Sequence, residues 1–156
     1  MAVLASYFWV SFLVLLVVND IKWRILPHAF NNLFIGAGFL FGTMMAGGAK
    51  SGILGSAEGF LGAGALMLFL GHLFPNGLGG GDIKMVSGIG AWLGLAPSLL
   101  AVLLAFGVGA TLTLPFLAFG KVHRKTQLPF GPFLAAGALF VWFMPGGAGF
   151  LLDRVA

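Results

Sequence analysis

Cysteine is absent from all 156 residues, which excludes disulfides, thiolate zinc sites and a cysteine nucleophile together. Charge is nearly absent as well. Asp, Glu, Lys and Arg make up 8% of the chain, against 60% hydrophobic residues. A soluble domain carries about 25% charged residues, so this chain has little with which to cover a water-facing surface. Its mean hydropathy of +1.07 agrees. No internal repeat is evident, so an inverted-repeat transporter finds no support. The net charge of +4 also fits a nucleic-acid binder. However, six of the eight basic residues fall in short gaps between apolar runs, the pattern of membrane topology, and no nucleic-acid partner is expected.

What the chain does have is long apolar runs. A spanning helix needs about 17–25 predominantly apolar residues. By that measure the sequence predicts spans near 3–18, 29–46, 53–74, 82–94, 98–119 and 130–150. The expected fold is therefore all-α: one membrane-embedded domain, 1–156, built as a bundle of six transmembrane helices. The first run has no basic residues before it and no small-residue cleavage site after it, so it is read as a retained helix rather than a signal peptide. Lys22 and Arg24 fall in the first loop, Lys84 beside the third, and Lys121, Arg124 and Lys125 in the fifth, whereas Lys50 and Arg154 fall on the opposite side. The positive-inside rule then places both termini outside. Glycine spaced at four residues, as in Gly38 and Gly42, Gly55 and Gly59, or Gly90 and Gly94, lets helix backbones approach closely in lipid. The four tryptophans, Trp9, Trp23, Trp92 and Trp142, read as interface anchors or packing.

Only four acids are present: Asp20, Glu58, Asp82 and Asp153. An ionisable group at the bilayer centre costs at least about 2.5–3.5 kcal/mol, so each acid is a candidate for function. Asp153 lies next to Arg154 near the last residue and reads as solvated. Glu58, inside the third span, reads as structural. Asp20 and Asp82 fall at the same predicted side of the membrane although some sixty residues separate them. As an isolated residue, Asp82 reads as a helix N-cap. That reading leaves Asp20, which follows a span, and the flanking glycines unexplained. Two carboxylates within reach of one another share a proton; one then deprotonates a water while the other donates to a scissile carbonyl or leaving nitrogen. Glycine before Asp82 leaves room for an extended substrate strand against the backbone. The chemistry expected is peptide hydrolysis at the membrane edge. The rival readings are a small ion- or proton-coupled transporter and a catalytically inactive assembly subunit.

Three motifs then carry a resemblance. "GLGGGDIKM" resembles the GxGD signature of membrane aspartyl proteases, with Gly79, Gly81 and Asp82 in its defined positions. "NDIKWRILPHAFNN" resembles the other half of the type IV prepilin peptidase pattern, an aspartate followed by an apolar-Pro-Asn step, here Asp20 and Leu26-Pro27-His28. "LPFGPFLAAG" is similar to the Pro-Phe-Gly-Pro motif that opens the family's last helix, here Pro129, Gly131 and Pro132. The resemblance covers essentially the whole chain. It implies a prokaryotic plasma-membrane endopeptidase that removes the leader of prepilin and pseudopilin precursors on the cytoplasmic face. Asp20 and Asp82 are then its catalytic pair, working without metal or cofactor. His28 departs from the family's usual asparagine. The larger members also carry a cysteine-containing cytoplasmic region and methylate the mature pilin. This chain's first loop, about 19–28, is short and cysteine-free, so cleavage without N-methylation is expected, as in the short forms associated with Flp/Tad pili or archaeal relatives. Lys84, two residues after Asp82, is read as facing away from it and meeting headgroups or substrate. His72 and Asn76 are left as residues of the cytoplasmic mouth or of loop backbone.

Overall fold

The computed structural model describes residues 2–23, 28–45, 49–74, 78–118 and 130–144. Among these are six helices: α1 (Ala2–Trp23), α2 (His28–Met45), α3 (Ala49–Leu73), α4 (Gly80–Leu93), α5 (Leu95–Ala118) and α6 (Gly131–Phe143). The all-helical expectation holds. Three stretches, Val3–Trp23, Gly52–Leu73 and Leu95–Leu112, are long and apolar enough to cross a membrane, and Gly131–Phe143 is a shorter apolar helix.

Several boundaries differ from the sequence reading, and two of them are instructive. The first apolar run ends at Val18, but α1 continues through Asn19, Asp20, Ile21 and Lys22 to Trp23. Helical propensity does not fall at an apolar-to-polar transition; only the environment of the side chains changes. Asp20 is therefore carried on a helix and not in a loop. The fifth span was expected to start after Pro97, yet α5 begins at Leu95. Proline is tolerated there because the first-turn N–H groups have no intrahelical partner.

The short helix α4 organises the bundle. It packs against α2, α3, α5 and α6, and every residue from Met85 to Leu93 is buried. Its burial comes from packing on every side of this stretch, not from a uniformly apolar sequence, since Asp82, Lys84 and Ser87 belong to the same helix. Its small residues set the distances to its neighbours. The backbones of Gly59 on α3 and Gly90 on α4 meet so closely that a Cβ on either would collide with the other's carbonyl. A Cβ on Gly88 would lie 2.5 Å from the Phe34 ring, and one on Gly38 would lie 2.7 Å from Trp92. Gly94, at φ 80°, turns the chain directly from α4 into α5.

Aromatic packing ties the remaining helices to this centre. Trp9 of α1 stacks on Trp142 of α6 at 5.0 Å between centroids and on Phe34 of α2 at 5.5 Å, and meets Trp92 of α4 at 5.2 Å. Trp92 Nε1 donates to the Phe34 carbonyl at 2.9 Å, and Trp142 Nε1 donates to Ser6 Oγ at 3.2 Å. Of the two roles open to the tryptophans, packing applies to these three, whereas Trp23 is exposed. The glycine contacts predict a sharp contrast. Gly90→Ala should cost about 1–3 kcal/mol, because backbone cannot move aside for the new methyl. Gly55→Ala, at a site with open space, should be neutral or stabilise by up to about 1 kcal/mol. Thermal unfolding of the detergent-solubilised variants checks both.

Candidate active site

Contacts between helix ends bring the candidate residues together. The end of α1 reaches the start of α6 through Asp20 and Gly131, and the start of α2 reaches the start of α4 through Asn31 and Gly81. Asp20 and Asp82 thus occupy the same end of the bundle. Both are buried, at 6% and 9% exposure. The structure therefore brings to one end of the bundle the two acids that the sequence singles out.

Each carboxylate rests on a helix start. Asp20 Oδ2 accepts the Gly131 N–H at 2.8 Å, a buried bond to the first residue of α6. Helix N-termini present unpaired N–H groups and the positive end of the macrodipole, and so hold an anion well. The Pro-Phe-Gly-Pro segment builds this seat. Pro132 fills the second helical position, where its missing N–H costs nothing. The Phe130 carbonyl takes the N–H groups of Phe133 and Leu134, both at 3.1 Å. The Phe130 ring packs on Phe106 at 4.8 Å. Gly131 has no room for a side chain while Asp20 keeps this position, since a Cβ there would lie 2.6 Å from Asp20 Oδ2 and 3.0 Å from Cγ.

Asp82 is seated differently from the N-cap its sequence context suggests. Gly79 is the N-cap, with φ −79° and ψ 148°, and Asp82 is the third helical residue. From there Oδ2 reaches back to accept the Gly79 N–H at 3.3 Å. The position still satisfies an end group and favours negative charge. Gly81 is the residue whose carbonyl receives Asn31 Nδ2 at 3.3 Å. Gly79 and Gly80 are exposed, and nothing lies within 4 Å of a Cβ placed on Gly80.

Lys84 and His28 meet at 3.2 Å, Nζ to Nδ1. An ammonium only donates, so Nδ1 accepts and the ring proton sits on Nε2. An asparagine carbonyl oxygen at position 28 would accept in the same way. This accounts for histidine where the motif has asparagine, and it gives Lys84 a partner on α2. Glu58 is exposed on α3, away from the carboxylate pair, next to the Gly59 contact with Gly90. His72 is exposed near the end of α3. Pro27 and Pro129 lie outside the described residues. So do Arg24, Asn76, Lys121, His123, Arg124, Lys125, Asp153 and Arg154, and the side chain of Lys50 is likewise not described. Asn31 was not singled out from the sequence, although it is fully buried beside Asp82's turn. A polar residue in the first turns of an otherwise apolar helix was the available signal.

Residues 7–114 match the type IV leader peptidase family, a region that includes both aspartates. The chain is 32% identical over 152 residues to the prepilin leader peptidase/N-methyltransferase of Pectobacterium carotovorum subsp. carotovorum, covering 94% of this chain and 53% of that protein. It is 29% identical over 137 residues to the protein of the same name from Bacillus subtilis, covering 86% and 53%. It is 33% identical over 134 residues to leader peptidase HopD of Escherichia coli, covering 82% of this chain and 84% of that one. The chain thus spans about half the length of the prepilin leader peptidase/N-methyltransferases it matches. No solved structure matches it. With this match spanning most of its length, the chain belongs to the type IV leader peptidase family.

Proposed function

We propose that this protein is a membrane aspartyl endopeptidase that removes the leader peptide of prepilin-like precursors, with Asp20 and Asp82 as its catalytic pair. The observation that carries the reading is the convergence of these two buried carboxylates at one end of the bundle, each on a different helix start. Each is bonded to backbone N–H through Oδ2, which leaves the other oxygen to a water or a substrate carbonyl.

The chemistry follows from one proton shared by the pair. The ionised carboxylate takes a proton from water as the water oxygen bonds to the scissile carbonyl carbon. The protonated carboxyl gives its proton to the carbonyl oxygen, forming a tetrahedral diol. As the C–N bond breaks, the nitrogen leaves with the proton that one carboxyl took from water, and a diol hydroxyl gives its proton to the other carboxylate as the carbonyl of the acid re-forms. The exposed Gly79 and Gly80 offer backbone against which an extended leader junction lies. We take the chain to cross the membrane six times with both termini outside, so that the aspartates face the cytoplasm where the leader emerges; the distribution of basic residues supports this. We also infer cleavage without N-methylation, given the absence of cysteine and the short connection between α1 and α2. Both aspartates lie within about a turn of a helix end, whereas a coupling-ion site belongs near mid-span. The transport reading is therefore the weaker one.

Co-expression with a prepilin, following leader loss by mass, tests the assignment. Asp20→Asn and Asp82→Asn should each lower cleavage by about 10²–10⁴-fold or more. Glu58→Gln and Asp153→Asn should cleave nearly as the wild type does. Full processing by either aspartate variant would remove the mechanism. A second measurement concerns the seat of Asp20. Gly131→Ala keeps the helix but pushes the carboxylate away, and should reduce kcat by about ten- to a hundred-fold. A wild-type rate for this variant would mean that the Gly131 contact is incidental to catalysis.

A further inference from the structure

Asn31 sits in the first turns of α2 with no exposed surface. Its Nδ2 donates to the Gly81 carbonyl at 3.3 Å, whereas its Oδ1 is buried without a partner among the described residues. Exchanging the two atoms would set oxygen against oxygen, so the donor orientation follows from chemistry. An unpaired buried acceptor offsets about as much stability as the bond on the other atom supplies. Leucine, of similar shape, would fill the space without that loss. For packing alone, asparagine is a poor residue here. What it offers that leucine cannot is a grip on the carbonyl preceding Asp82.

That grip falls where α4 is weakest. Three glycines, Gly79 to Gly81, lead into the helix, and glycine resists ordering more than any other residue. The bonds that close the first turn are long: Asp82 N–H to the Gly79 carbonyl at 3.1 Å, and Ile83 N–H to the same carbonyl at 3.3 Å. The return bond from Gly79 N–H to Asp82 Oδ2 is also 3.3 Å. The Gly81 carbonyl belongs to the peptide plane that Asp82 N–H completes, so holding that oxygen orients the Asp82 Cα. The second link between α2 and α4 at this end, Lys84 to His28, is on the exposed side. Asn31 supplies the buried one.

We propose that Asn31 is a positioning residue: through the Gly81 carbonyl it holds the glycine-rich turn so that Asp82 stays in register with Asp20. The activity arm of its test rests on the peptidase reading above, and the exchange arm does not. In Asn31→Leu, amide exchange followed by mass spectrometry should quicken about tenfold or more at Asp82 and Ile83, with residues 86–92 unchanged. For prepilin cleavage, kcat should fall about ten- to a hundred-fold with KM within about twofold of wild type, because alignment and not binding is lost. Asn31→Ala, which removes the donor without adding a charge, should behave alike and serves if the leucine variant does not fold. Unchanged exchange at Asp82 and Ile83 would overturn the inference, as would a wild-type kcat. If the wild type cleaves no prepilin, the peptidase reading fails, and the exchange result still decides the role of Asn31.

Discussion

Two buried carboxylates at one end of so apolar a bundle impose the constraint on which the rest of the structure depends. Each must be kept out of lipid and given hydrogen bonds, yet left with oxygen free for chemistry. Helix starts meet all three needs, because they offer N–H groups that no helix bond consumes. α6 begins beneath Asp20 and α4 begins beneath Asp82. Their starts must therefore lie at one end of the bundle, which in turn sets where α1 ends. The glycine contacts and the aromatic cluster follow from that arrangement. They seat α4 at the centre at backbone-contact distance from α3 and link α1, α2 and α6 around it.

The two seats are not alike. Asp20 is held by a helix distant in sequence, through a buried 2.8 Å bond that excludes any side chain at Gly131. Asp82 is held by its own turn, through a longer bond to a glycine, with Asn31 bracing the turn from α2. One carboxylate is thus fixed by tertiary packing, and the other by a glycine-rich segment with an external brace. That difference fits a site in which a substrate strand passes along the Gly79–Gly81 side and the α6 side stays still.

Much of this was legible in the residues. The apolar runs located the helices, and scarcity made each acid conspicuous, so Asp20 and Asp82 stood out. The glycine and prolines of Pro-Phe-Gly-Pro marked the start of α6. What could not be read depended on contacts between distant segments. Hydropathy sees the change at Val18, but the helix goes on to Trp23, because backbone hydrogen bonds do not require apolar side chains. The place of Asp82 within its turn, third in the helix and not at its cap, is decided by which glycine adopts the extended conformation. Asn31 showed locally only as a polar residue in the first turns of a largely apolar helix; its task was not legible, since its partner lies fifty residues away. That α4 is the central helix is likewise a property of the packed bundle; with Asp82, Lys84 and Ser87, its own sequence is less apolar than its neighbours'.

The claim at the centre is that Asp20 and Asp82 face one another across a space small enough to share a water. Because the chain has no cysteine, a double Asp20→Cys, Asp82→Cys variant carries the only two thiols and can be probed in membranes with a short bifunctional thiol reagent. Rapid intramolecular cross-linking of that variant, with either single variant labelled but not linked, is the result expected. Two thiols that both take a monofunctional label yet never cross-link would place the carboxylates apart and contradict the account.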